Sequence, residues 1–261
     1  MIERIAGDDP RLDPYRRVGD PSWLVQRQLF VAEGRLVVER LVTAGEYALE
    51  SIIVTPPARA ALEPSLAVAR CDVYLCEPAV LEEVTGFNFH RGCLALARRP
   101  PARPASDLLT ARRLVALEGI GNPDNVGGIF RAAAAFGVGG IVLDPATGDP
   151  LYRKAIRTSM AATLRVPWVR LEAWPEGLAA CRHAAFTVVA LTPDAAAMPL
   201  SDFARRYGAA DRLLLMLGAE GPGLSPRALE MSDERVRIPI DPAVDSLNVV
   251  VAAGIALDRL R

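Results

Sequence analysis

An open, mostly parallel α/β sheet with helices on both faces, preceded by a smaller α/β unit, is the fold this sequence predicts. Three observations predict it: apolar runs alternate with helical segments through the second half, most of those runs are continuously apolar, and a proline- and arginine-rich stretch separates the halves. Continuous apolar runs suit strands covered on both sides, and strand–helix alternation implies parallel pairing.

Taken in order, the first part reads as a helical lead-in over PSWLVQRQLFVAEGRLVVERLVTAG, then SIIVTP as a strand, PSLAVA as a helix, VYLCE as a strand, PAVLEEVTG as a helix and GCLALARRP as a strand. The segment RRPPARPASDLLT, residues 98 to 110, lacks periodicity and reads as an extended connector. It places a small α/β domain at 1–100, a linker at 101–111 and a larger domain at 112–261. In that larger domain the strands are RLVALEG, GGIVLD, LRVPWV, FTVVALT, RLLLMLG and RVRIPI, separated by helices at GGIFRAAAAFG, PLYRKAIRTSM, PEGLAACRHA, SPRALEMSD and SLNVVVAAGIALDRL. The last of these is apolar round nearly its whole circumference, so one face meets either a second subunit or a deep core.

Composition narrows the function. With 51% hydrophobic and 23% charged residues the chain can bury a core and is not disordered. A formal net charge of -1 provides no whole-molecule attraction for polyanions, so any nucleic-acid contact needs a local basic face. Lys154 is the only lysine, and arginine both pairs bidentately with phosphate and stacks on bases, although a genomic base bias gives the same excess. Cys71, Cys76, Cys93 and Cys181 fall at no zinc-ligand spacing, so no metal site is read, and the pattern fits a reducing compartment. No apolar leader opens the chain and no stretch approaches about 18 uninterrupted apolar residues, which together lead to a cytoplasmic protein without a membrane span.

Open parallel sheets bind ligands at the carboxyl ends of their strands, which directs attention to three loops. EGIGNPDNVGGIFRAAAAFG, Glu118 to Gly137, places a turn at Asn122, Pro123 and Asp124, with Asn125 positioned as a helix N-cap. Gly127 and Gly128 then fall in the first helical turn, where glycine suggests a close approach to the backbone, and Arg131 follows near a helix start suited to a phosphate or to an ion pair. LGAEGPGLS, Leu217 to Ser225, is a glycine-rich turn after a buried strand, and its Glu220 can hold an orienting contact or help remove a hydroxyl proton. IPIDPAVDSLNVVVAAGIAL, Ile238 to Leu257, ends a strand in a proline-bearing loop; Ser246 begins the last helix, and Asn248 is a polar amide that must find partners in an apolar segment.

In this order the three segments resemble the motifs of the SpoU-type branch of the SPOUT methyltransferases. The first motif, NPxNxGxIxRxAxAFG, is matched at Asn122, Pro123, Asn125, Gly127, Ile129, Arg131, Ala133, Ala135, Phe136 and Gly137. The second, GxEGxGL, is matched at Gly218, Glu220, Gly221, Gly223 and Leu224, with Ala219 where many relatives carry asparagine. The third, ending in SLNVSVAAxI, is matched at Ser246, Leu247, Asn248, Val249, Val251, Ala252 and Ala253, with Val250 for the common serine and Pro242 for a common glycine. The stretch FVAEGRLVVERLVTAG followed by IIVTP is similar to the ribosomal-protein-L30e-like RNA-binding domain that precedes many SpoU-type catalytic domains.

The resemblance implies a C-terminal deep trefoil knot, a homodimer formed through the catalytic domain, and methyl transfer from S-adenosylmethionine to a ribose 2'-hydroxyl of structured RNA, ribosomal RNA ahead of transfer RNA. It implies an adenosyl cradle from Leu191, Thr192, Leu217, Gly218, Ala219, Glu220, Gly221, Ile238, Ile240, Leu247 and Asn248. Arg131 would hold the phosphate or assist deprotonation, with Asn125, Glu220 and Ser246 orienting the hydroxyl and Asn248 supporting the loops. RNA would be gripped by Arg91, Arg98, Arg99, Arg112, Arg113 and Arg131, with His90 offering a ring for stacking. A non-catalytic RNA-binding protein on the same fold is the main alternative. A nicotinamide oxidoreductase lacks its GxGxxG after the first strand of the larger domain, and a serine hydrolase its GxSxG elbow.

Overall fold

The computed structural model describes residues 2–86, 91–207 and 212–260. Along the chain the elements are β1 (Ile2–Arg4), α1 (Asp13–Arg16), α2 (Pro21–Gln26), β2 (Leu29–Glu33), α3 (Arg35–Ala44), β3 (Leu49–Val54), α4 (Pro56–Val68), β4 (Asp72–Leu75), α5 (Pro78–Thr85) and β5 (Cys93–Arg98). There follow β6 (Arg113–Glu118), α6 (Pro123–Ala135), β7 (Gly140–Leu143), α7 (Arg153–Thr158), β8 (Trp168–Arg170), α8 (Ala179–His183), β9 (Thr187–Leu191), β10 (Met198–Pro199), α9 (Leu200–Tyr207), β11 (Leu213–Gly218), α10 (Pro226–Glu230), β12 (Glu234–Arg237) and α11 (Val249–Arg259). The chain divides into two compact units, Met1–Pro101 with Leu151–Ala161, and Ala102–Pro150 with Ala162–Arg261.

The first unit is built on a sheet of order β1-β4-β3-β5-β2, in which β5 runs antiparallel to both β2 and β3. Two of its strands differ from the sequence reading. Ile2–Arg4 pairs with β4, and Leu29–Glu33, read as part of a helical lead-in, is a strand paired with β5. Apolar residues from Leu24 to Val38 also fit a helical period, so the pattern alone could not separate the two; Gly34 at φ 98° ends the strand and opens α3.

Residues 151–161, expected in the second domain, belong instead to the first unit. Glu33 is only 4% exposed. It is paired with Arg153 at 3.1 Å, Arg157 at 3.3 Å and Arg91 at 3.4 Å. Arg153 and Arg157 stand four apart on one face of α7, and Leu151, Ala155 and Ile156 are buried with them. A buried carboxylate persists only with partners of this kind, and nothing local in the sequence connects position 33 to position 153.

The second unit carries a seven-stranded sheet of order β10-β12-β9-β11-β6-β7-β8 whose pairings are all parallel. Leu114, Ala116, Val142, Val188, Ala190, Leu214 and Met216 lie in one of its buried clusters, as the continuous apolar runs require. The expected extended connector holds only for residues 99–104, which form no helix or strand; it then enters a 3₁₀ turn at Ala105–Thr110, with Leu108 2% exposed. A Cβ on Gly140 would lie 2.6 Å from Leu108, so this glycine makes room for the turn to dock. The short β10 and α9 also escaped the sequence reading. No helix among the described residues is long and apolar enough to cross a membrane. All four cysteines are unpaired, and burial pushes the Cys93 thiol up to about 12 and those of Cys71 and Cys76 up to about 11.

Gly127 and Gly128 stand in the second turn of α6, not the first. What approaches Gly128 is the last helix, since a Cβ there would lie 2.7 Å from a Val250 methyl. Gly128→Ala is therefore expected to destabilise the second unit by roughly 1 kcal/mol, the overpacking exceeding the helix-propensity gain. Val250→Ala in the same chain should relieve the clash, as urea unfolding of the single and double variants would read.

Candidate functional site

Three adjacent parallel strands, β12, β9 and β11, end on the same side of the sheet, and their carboxyl ends open into one pocket. Leu191 and Thr192 come from the end of β9, Leu217 and Gly218 from the end of β11, Ile238 and Ile240 from the chain after β12. Ser246 and Leu247, on the approach to α11, close it. The space it encloses, about 740 Å³ with its open mouth included, is in contact with solvent. Gly218, Gly221 and Gly223, which have only main chain to offer, line the pocket beside the branched side chains of Leu191, Leu217, Ile238, Ile240 and Leu247. Such a lining suits a flat heteroaromatic ring whose edge is read by backbone hydrogen bonds.

The loop from Gly218 to Ser225 folds back on itself. Gly223 N–H donates to the Ala219 carbonyl at 3.0 Å, and Gly221 and Gly223 take φ of 88° and 69°. A Cβ at Gly218 would sit 2.2 Å from the carbonyl carbon of Gly223, so the fold-back requires glycine there. Ala219, Glu220, Gly221 and Gly223 are thereby held along one wall of the pocket.

At the rim, one amide joins three segments distant in sequence. Asn248 Nδ2 donates to Glu220 Oε1 at 2.7 Å and to Asn125 Oδ1 at 3.2 Å, which uses both of its hydrogens. Its Oδ1 accepts from Val250 N–H at 2.9 Å and so caps α11. The helix therefore begins at Val249, three residues after the Ser246 expected to start it, and Ser246 is an exposed residue of the pocket wall. Asn125 is likewise not an N-cap. Asn122 fills that role by accepting from Asp124 N–H at 2.9 Å, and Asn125, inside α6 and 7% exposed, is free to face Asn248.

Every residue expected in the adenosyl cradle lines the pocket except Asn248, which stands behind Glu220. Of the expected catalytic set, Asn125, Glu220 and Asn248 are brought together, and Ser246 lies on the wall. Arg131 is not joined to them: it is exposed and its side chain has no hydrogen-bond or ion-pair partner among the described residues.

The arginines expected to grip RNA are divided between the units, with Arg91, Arg98 and Arg99 in the first and Arg112, Arg113 and Arg131 in the second. Arg91 pairs with Glu33 and Arg98 with Glu50, and Arg99 Nε donates to the Leu29 carbonyl at 3.0 Å. His90 lies outside the described residues.

Sequence reasoning missed Glu118. It lies opposite Gly218 in the β6–β11 register, accepts from Ser225 N–H and Oγ at 2.7 Å each, and takes the Trp174 indole N–H at 2.7 Å. The available signal was an acid at the end of an otherwise apolar strand.

Residues 112–258 match the model of the SpoU rRNA Methylase family. Over 254 residues the chain is 39% identical to an uncharacterized tRNA/rRNA methyltransferase of Mycobacterium bovis, covering 95% of this chain and 88% of that one. Its fold is similar to that of an AdoMet-bound rRNA methyltransferase from Sinorhizobium meliloti, with a TM-score of 0.83 at 22% identity, covering 100% of this chain and 97% of the other. An RNA 2'-O ribose methyltransferase superposes with a TM-score of 0.75 at 27% identity, covering 100% of this chain and 98% of the other.

Proposed function

Because the chain belongs to the SpoU rRNA methylase family, we propose that it is an RNA methyltransferase that uses S-adenosylmethionine to methylate a ribose 2'-hydroxyl, in ribosomal RNA ahead of transfer RNA. One observation carries the reading: Asn248 ties Asn125 and Glu220 together beside a backbone-lined pocket, so polar groups of all three motifs meet at one rim. A non-catalytic RNA binder has no need of that convergence.

The pocket suits the adenosyl group, whose flat apolar face matches the branched side chains and whose polar edge needs the main chain that Gly218 and Gly221 leave uncovered. When bound, S-adenosylmethionine supplies an activated methyl group. The protein's own contribution is alignment and charge. The wall from Leu217 to Gly221, with Leu191, Thr192, Ile238, Ile240 and Leu247, binds the donor. Glu220 and Ser246 orient the hydroxyl, and Asn125 holds the Asn248 amide that fixes Glu220. Arg131 would hold the neighbouring phosphate or assist deprotonation of the hydroxyl by stabilising negative charge on the ribose oxygen, the proton passing to solvent.

We read the protein as a cytoplasmic homodimer through its second unit. Support comes from α11, where Val251 and Ile255, one turn apart, are 50% and 37% exposed. The first unit then serves as the RNA-binding domain implied by its resemblance.

The test is transfer of labelled methyl from S-adenosylmethionine to total bacterial RNA, followed by alkaline hydrolysis. A 2'-O-methyl blocks the adjacent cleavage, so label is expected in alkali-stable dinucleotides, in the ribosomal fraction. Label in mononucleotides would overturn ribose as the target, and absence of label would favour the non-catalytic alternative.

A further inference from the structure

We propose that Glu118 is a positioning residue that sets the donor-binding loop, acting through Ser225 and Trp174. The inference rests on the pocket being the S-adenosylmethionine site.

The loop wall is held at its first end by β11, where Gly218 is the last strand residue, paired across the sheet with Glu118. Its far end is Ser225, which N-caps α10 by accepting from Ala228 N–H at 3.2 Å. Between these ends Ala219, Glu220, Gly221 and Gly223 face the pocket. The glycines that permit the fold-back also make the loop easy to deform, so its shape depends on where the far end is fastened.

Glu118 fastens it. One carboxylate oxygen accepts Ser225 N–H and the other accepts both the Ser225 hydroxyl and the Trp174 indole N–H. All three donors lie 2.7 Å away. Hydrogen bonds to an ionised acceptor are the strong ones, and three on one carboxylate fix its rotamer. Trp174 packs against the buried cluster of the sheet, so the carboxylate links loop to core. Glu118 does not itself line the pocket, and any effect it has on donor binding must pass through the loop.

Glu118→Gln keeps size but turns one acceptor into a donor facing another donor. Ser225→Ala removes one of the three bonds, together with the α10 cap, and leaves Glu118 intact. Calorimetry with S-adenosylhomocysteine on the full chain should show binding weakened roughly tenfold or more in Glu118→Gln, the scale of one charged hydrogen bond. Ser225→Ala should be weakened less, and the double variant no more than Glu118→Gln alone. RNA affinity, which a general loss of structure would also lower, should stay near wild type, and turnover at saturating donor should fall less than KM rises. Should Glu118→Gln fail to fold, Ser225→Ala with Trp174→Phe carries the same comparison. Wild-type affinity for S-adenosylhomocysteine in these variants, or equal losses of donor and RNA affinity, overturns the assignment. If the wild-type chain itself takes up no S-adenosylhomocysteine, the pocket reading fails first and this inference with it.

Discussion

Arg131→Ala is expected to lower turnover by roughly 10²- to 10⁴-fold while leaving S-adenosylhomocysteine affinity within about threefold of wild type. Arg131 and Asn125 share α6 but stand six residues apart, which at 3.6 residues per turn separates their directions by about 120°. Asn125 faces the Asn248 amide and is buried, whereas Arg131 is exposed, is without a side-chain partner among the described residues and does not line the pocket. Its removal should therefore spare donor binding and cost only what the guanidinium does for the RNA phosphate or the reacting hydroxyl. Single-turnover rates at saturating donor and RNA, beside calorimetry of the donor, read the two effects separately. Arg131→Lys keeps the charge and loses the planar fork, so partial recovery would indicate a phosphate contact. Equal loss of turnover and donor affinity would remove Arg131 from the chemistry.

Gly218→Ala should abolish measurable donor binding. The added methyl would lie 2.2 Å from Gly223 C and 2.3 Å from Leu224 N, both backbone atoms that no rotamer change can move aside. The fold-back from Ala219 to Gly223 must open, and with it the wall that carries Glu220 toward Asn248. Overpacking of this kind costs about 1–3 kcal/mol, so the second unit should also melt several degrees lower, at roughly 2–4 °C per kcal/mol. Gly218→Ala and Arg131→Ala should therefore fail in opposite ways. The first loses the donor, and the second loses only the reaction. Donor binding at wild-type strength in Gly218→Ala would refute the role given to the loop.

The parallel sheet of the second unit was legible because its strands are short continuous apolar runs, and periodicity carries that signal directly. The pocket residues were legible through the motifs, since Gly218, Glu220 and Leu247 stand at fixed offsets within them. Caps were not: Asn122 and Asn125, like Ser246 and Asn248, are neighbouring residues able to cap, and only the Asn125 contact with Asn248, across 123 positions, decides between them. Strand β2 was lost because four apolar residues between two helices fit either period. Glu118 was passed over because its partners, Trp174 and Ser225, are set by the order in which the strands line up and not by any local pattern.

The attachment of α7 to the first unit makes the two halves poor cassettes. A gene fragment cut near residue 101 would separate Glu33 from Arg153 and Arg157, leaving a carboxylate at the edge of its own sheet with one arginine in place of three. The complementary fragment would display Leu151 and Ile156 to water on an orphaned helix. Recombination that swaps one half for a homologue's is therefore expected to succeed only where the acid at 33 and the basic pair at 153 and 157 are inherited together.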